Sequence, residues 1–160
     1  MVSNRTHSRP CMRYIVALRG HNVTKMELNG TETILVVDDE DIGLKLAHAM
    51  LTRYGYGVFT AISGGEALRL FEQTPDLKID IAVIDIVMPV MDGFDLTRRI
   101  RKLRPQLPII YISAYSENSD LRPEESRHVP YLPKPFTSLK LTAKIREVLD
   151  SPRSDAAGQP

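Results

Sequence analysis

The chain has 160 residues, a formal net charge of +1 and 26% charged side chains; this size favours one domain with a normal core, and the charge gives no global case for nucleic acid or an anionic membrane. The single cysteine, Cys11, permits no internal disulfide and fits a reducing compartment. No stretch reaches the roughly 20 apolar residues of a membrane span, and Tyr14-Ile15-Val16-Ala17-Leu18, closed by Arg19, is too short for a secretory signal, so the expected location is cytoplasmic.

Residues 1–31 show no sustained period and are read as a disordered N-terminal extension. Thr33-Ile34-Leu35-Val36-Val37 predicts a strand ending on Asp38-Asp39. A helix is predicted over about 40–54, with Ile42, Leu46, Ala49, Met50 and Tyr54 on its inner face and Gly55 as its stop. A short strand, Gly57-Val58-Phe59-Thr60, follows. Ser63 and Glu66 have capping-box spacing for the next helix, with Ala67, Leu68 and Phe71 inward.

The apolar run Ile81-Ala82-Val83-Ile84 predicts a third strand ending on Asp85. Met88-Pro89 and Met91-Asp92-Gly93 come next, with Asp92 as the cap of a helix facing inward through Leu96, Ile100 and Leu103. Strand 108–112 leads into Ser113, and a weak helix at about 117–126 contains Pro123. Strand 129–132 precedes Lys134-Pro135, and a last helix at about 137–149 faces inward through Leu141, Ile145, Val148 and Leu149. Residues 151–160 form a polar tail, leaving 32–150 as the domain. Strands apolar on both faces, alternating with helices, imply an α/β fold with a parallel sheet covered on both sides.

Such sheets bind ligands at the carboxyl ends of their strands. Asp38, Asp39, Asp85, Ser113 and Lys134 all fall there. Crowded carboxylates need a cation, and few oxygen ligands with room for water favour Mg²⁺. Asp39 and Asp85 are the expected direct ligands, with Asp38 acting through water. Lys134 would bind a phosphate oxygen as a point charge and Ser113 would donate to another. Asp85 then becomes a phosphoryl acceptor. An isolated aspartate at a strand end is usually a cap; the convergence of five groups decides against that reading here. The run Arg98-Arg99-Ile100-Arg101-Lys102 reads as a solvated outer face, so nucleic-acid binding is not expected, and His48 reads as structural.

These residues are recognisable as a set. Val36-Val37-Asp38-Asp39, Asp85 with Met88-Pro89 and Met91-Asp92-Gly93, Ser113-Ala114 and Lys134-Pro135-Phe136 resemble, in order and spacing, the receiver domain of two-component response regulators. The resemblance implies a flavodoxin-like (βα)5 doubly wound sheet of order 2-1-3-4-5. It implies that a histidine kinase or a histidine phosphotransfer protein donates a phosphoryl group to Asp85. Mg²⁺ would be held by Asp38, Asp39, Asp85 and the main-chain carbonyl of Val87. Ser113 and Tyr131 would form the switch, with Tyr131 turning inward on phosphorylation and a surface for an unknown downstream protein changing with it. The Lys134-Pro135 bond is often cis in the family. The protein would be a monomer or a phosphorylation-dependent dimer. It would be no enzyme beyond self-phosphorylation and self-dephosphorylation, the latter slow because Val87 and Tyr115 are bulky where water would attack.

A receiver detached from a hybrid histidine kinase would look the same. A Mg²⁺-dependent phosphatase of the haloacid dehalogenase type would need a second acid where Val87 stands. A flavodoxin-like cofactor binder would need a phosphate-cradling loop where Asp38-Asp39-Glu40 stands. A degenerate receiver acting only by contact is disfavoured by the intact acidic set.

Overall fold

The computed structural model describes residues 28–114 and 123–151. Five strands, β1 (Thr33–Val37), β2 (Gly57–Ala61), β3 (Ile81–Asp85), β4 (Ile109–Ser113) and β5 (Tyr131–Pro133), form one parallel sheet in the order β2-β1-β3-β4-β5. The described helices are α1 (Asp41–Arg53), α2 (Gly64–Gln73), α3 (Gly93–Leu103) and α4 (Ser138–Asp150). This is the doubly wound α/β architecture and strand order expected from the sequence.

The apolar runs form central strands because both of their faces are covered. Ile34, Val36, Ile81, Val83, Ile110 and Ile112 point to one side, where Leu44 and Leu51 of α1 and Leu141 and Ile145 of α4 meet them. Leu35, Val37, Ala82, Ile84 and Tyr111 point to the other, against Ala67 and Phe71 of α2 and Leu96 and Ile100 of α3. Each buried Leu or Ile contributes about 2 kcal/mol by leaving water. Side-chain caps fix where the helices begin. Ser63 Oγ accepts from the Glu66 N–H at 3.2 Å, and the Glu66 carboxylate reaches back to the Ile62 N–H at 2.8 Å. Asp92 Oδ1 accepts from the Asp95 N–H at 2.7 Å. Gly55, at φ +93, closes α1 in a conformation open to glycine.

Two expectations about helix faces are corrected. The inner face of α1 is Leu44, Ala47, Leu51 and Tyr54; Ile42 is 81% exposed, Leu46 54%, Ala49 is exposed and Met50 only partly buried. The helix carries two apolar stripes of the same period, so periodicity could not choose between them. Leu103 is exposed because it is the last residue of α3, next to an exposed turn at 105–106. Where a helix was predicted over 117–126, the described part is a 3₁₀ turn at Glu124–Ser126 following Pro123; residues 115–122 lie outside the described residues.

At the amino end, Leu28 is buried, Tyr56 donates to its carbonyl at 2.9 Å, and the Gly30 N–H bonds Tyr54 O at 3.1 Å. Residues 28–31 therefore pack onto the domain rather than belonging to an extension. Arg146 clamps this end, bonding Glu32 Oε1 at 2.6 Å and Asp150 Oδ1 at 2.5 Å. The rest of the predicted extension, 1–27, and tail residues 152–160 lie outside the described residues. Among the described residues no helix is long and apolar enough to cross a membrane.

Candidate functional site

Strand register brings the polar groups together. Val37 pairs with Ile84, so Asp38 and Asp85 emerge side by side from β1 and β3. Asp85 pairs with Ile112, which puts Ser113 one step further along β4, and Ser113 pairs with Pro133, the residue before Lys134. Four adjacent strands thus deliver their end groups to one rim. The Lys134-Pro135 bond is cis, as the resemblance implies.

Lys134 Nζ lies 2.7 Å from Asp38 Oδ2 and 2.5 Å from Asp85 Oδ2. The other oxygens of these carboxylates accept main-chain N–H groups, Asp38 Oδ1 from Glu40 at 2.9 Å and Asp85 Oδ1 from Val87 at 3.0 Å. Asp38 and Asp85 are only 2% and 6% exposed. Asp38, Asp39 and Asp85 each offer an oxygen within 4.8 Å of the others. Asp39 makes no hydrogen bond or ion pair with any described residue. Three carboxylates against one ammonium leave two negative charges uncompensated. An all-oxygen donor set with that deficit fits one hard divalent cation.

The same crowding sets the proton affinities. Burial pushes the Asp85 carboxyl above its ordinary value, and the nearby Asp38 charge adds to this, against the hydrogen bonds from Lys134 and Val87. Burial alone would lower Lys134, but its hydrogen bonds to Asp38 and Asp85 prevail and raise it.

Ser113 is fully buried. Its carbonyl accepts the Lys134 N–H at 2.8 Å and the Tyr131 hydroxyl at 3.3 Å. Tyr131 is 6% exposed and packs in the core. Val87 is half-exposed, and Tyr115 lies outside the described residues. His48 is exposed on α1. Arg98 pairs with Asp95, and Arg99, Arg101 and Lys102 are exposed, the solvated face expected of that run.

Three features of the site were not read from the sequence. A cavity of about 190 Å³ beside the carboxylates is lined by Asp38, Leu46, Lys134 and Phe136 among others. Gly93 sits against the Asp85 carbonyl, and its N–H bonds Ile86 O at 2.9 Å. Val90, in the loop between β3 and α3, is fully exposed at φ 68, where a β-branched side chain is strained. Val90→Gly is therefore expected to raise the urea midpoint: relief of about 1–2 kcal/mol of left-handed strain outweighs the entropy cost of glycine, about 0.5–1 kcal/mol. An unchanged or lower midpoint would count against a strained Val90.

Comparison with known proteins places this geometry. The family described as the response regulator receiver domain matches residues 34–146. The chain is similar to the sensor kinase CckA of Brucella abortus, 38% identical over 138 residues, covering 84% of this chain and 14% of that protein. It is similar to the probable transcriptional regulator ycf27 of Guillardia theta, 38% identical over 125 residues, covering 78% of this chain and 48% of that one. The chain thus spans less than half the length of these two relatives. Among solved structures, the receiver domain of the hybrid histidine kinase CckA superposes with a TM-score of 0.62 at 32% identity, covering 73% of this chain and 98% of that one. A receiver domain protein from Clostridium thermocellum gives 0.66 at 30% identity, covering 74% and 94%. The chain belongs to the response regulator receiver family of two-component signalling systems.

Proposed function

We propose that Asp85 is the phosphoacceptor, and that the domain extends from Leu28 to Asp150. A carboxylate oxygen of Asp85 attacks the phosphorus of a phosphohistidine; the P–N bond breaks and the imidazole leaves. Asp38, Asp39, Asp85 and the main-chain carbonyl of Val87 would hold Mg²⁺, which when bound offsets the negative charge between carboxylate and phosphoryl group. Lys134 would pass from the carboxylates to a phosphoryl oxygen, and Ser113 would donate to another. Ser113 and Tyr131, already joined through the Ser113 carbonyl, would form the two-state element; inverting its populations takes about 5.5 kcal/mol.

The observation that carries this reading is the Lys134 ammonium bridging two buried carboxylates while Asp39 has no partner among the described residues. The donor is a histidine kinase or histidine phosphotransfer protein. Ile42, Leu46, Val87 and Val90 are exposed apolar side chains in the segments that carry Asp38, Asp39 and Asp85, and suit contact with a protein. The likeness to the CckA receiver supports a second reading, a receiver detached from a hybrid kinase, with the same chemistry. Slow self-dephosphorylation, a cytoplasmic location and an unknown downstream protein belong to the same proposal, as does a monomer that dimerises at most on phosphorylation. The phosphatase alternative is disfavoured because Val87 occupies the position its acid would need.

The test is intact mass after incubation with acetyl phosphate or phosphoramidate, with Mg²⁺ or EDTA. One phosphoryl group should be gained with Mg²⁺ only, and none by Asp85→Asn. A gain that survives in Asp85→Asn would remove Asp85 from the role.

A further inference from the structure

A second cavity, of about 230 Å³, lies away from the carboxylates, between α3 and the segment leading to β5. Its walls include Phe94, Thr97, Tyr111 and Val129, with Arg98 and Arg101 also in the lining. Phe94 and Tyr111 meet edge to face, ring centroids 5.2 Å apart at 77°. Thr97 is 4% exposed, and its buried hydroxyl has no hydrogen-bond partner among the described residues.

That hydroxyl departs from the pattern of its neighbours. Thr52, Thr74 and Thr142 each donate to the carbonyl four residues back, at 2.8, 2.5 and 2.8 Å. This is the usual outlet for a threonine in or at the end of a helix. Thr97 does not use it. Arg101, four residues on and so on the same face of α3, makes no hydrogen bond or ion pair with any described residue, whereas Arg98 is held by Asp95. A donor inside and a cation one turn away, neither with a partner among the described residues, thus flank an aromatic wall.

We infer that this cavity is a binding site for a small single-ring aromatic carboxylate. The ring packs on Phe94, Tyr111 and Val129; one carboxylate oxygen accepts from the Thr97 hydroxyl, and the group pairs with Arg101. Size agrees, since an apolar cavity of about 150 Å³ takes benzene and this one has room for a carboxylate as well. Inorganic phosphate fits less well, because it leaves the aromatic wall unused. The site is separate from the Asp85 chemistry, so it stands or falls independently of the phosphoacceptor reading.

The test is titration of the full chain with benzoate and phenylacetate, beside acetate and benzyl alcohol, followed by backbone amide NMR. At least one aromatic carboxylate should saturate in the millimolar range or tighter, with shifts centred on Phe94, Thr97, Arg101 and Tyr111. Benzyl alcohol and acetate should each bind about tenfold more weakly or worse. Arg101→Gln should cost the carboxylate about tenfold and leave benzyl alcohol unchanged. Thr97→Val, which replaces the orphan hydroxyl by a methyl of similar shape, should raise the melting temperature of the free protein while weakening the carboxylate. No saturable binding, acetate binding as well as benzoate, or shifts centred elsewhere would overturn the inference. So would a lower melting temperature in Thr97→Val, which would mean that water already satisfies the hydroxyl.

Discussion

Lys134→Met is expected to lower the stability of the magnesium-free protein by about 3 kcal/mol at neutral pH, the cost of leaving buried charges without their partner. Methionine keeps the apolar stem and removes only the ammonium. Asp38 and Asp85, with side chains 3% and 8% exposed, would then face each other with no cation between them. Mg²⁺ should recover much of the loss in the variant, and more than it adds to the parent, because the ion takes over a charge that lysine otherwise supplies. Urea unfolding with EDTA and with Mg²⁺ measures both. Equal midpoints for parent and variant in EDTA would show that the bridge contributes nothing net.

The pH dependence follows from the same pair. Lys134 has its proton affinity raised in the fold. Its contribution is therefore fully present below the unfolded value and lost as pH rises through the folded one, on the alkaline side. Lys134→Met should lack that alkaline loss. Asp85 is also raised. Its favourable contribution belongs to the protonated form, is present at acid pH, and is lost as pH rises through the folded value. Ionising Asp85 is thus a cost to the folded state, and in EDTA Asp85→Asn, which removes that cost, should raise the melting temperature where Lys134→Met lowers it.

Apart from the exposed edge strand β2, the strands and the candidate site were legible for one reason. In a doubly covered parallel sheet each strand is an apolar run, and its first polar residue marks the rim. Asp38, Asp85, Ser113 and Lys134 stand at or just past those ends, and register does the rest. The inner face of α1 was not legible, because Ile42 and Leu46 repeat with the same period as Leu44, Ala47 and Leu51. Which stripe is buried depends on how the chain leaves β1. The packing of Leu28 was hidden because no periodicity surrounds one buried side chain and a tyrosine hydroxyl from β2's approach. Val90 could not have been found either; valine gives no local signal for φ 68. The cavity beside Thr97 depends on how α3 packs against the segment before β5, and spacing carries no trace of that.

Gly93→Ala is expected to cost about 3 kcal/mol, at the upper end for an inserted methyl. A Cβ at Gly93 would fall 2.4 Å from the Asp85 carbonyl oxygen and 2.9 Å from Ile86 Cα. Both are backbone atoms, and neither can rotate aside as a side-chain tip would. Relief requires the start of α3 to move away from the end of β3, which breaks the Gly93 N–H bond to Ile86 O or drags the Asp85 backbone with it. Either way the carboxylate set loses its geometry, so Mg²⁺ should stabilise the variant less than the parent. Gly65→Ala is the control. It lies in α2, where an added Cβ would have Ser63 Oγ at 4.0 Å as its nearest neighbour. Alanine there should add about 0.5–1 kcal/mol through helix propensity. Opposite signs for two Gly→Ala changes near helix starts would tie the cost at Gly93 to the Asp85 backbone rather than to glycine as such. If Gly93→Ala were as stable and as responsive to Mg²⁺ as the parent, the β3–α3 junction would have enough freedom to admit a methyl, and Asp85 would not be held by that contact.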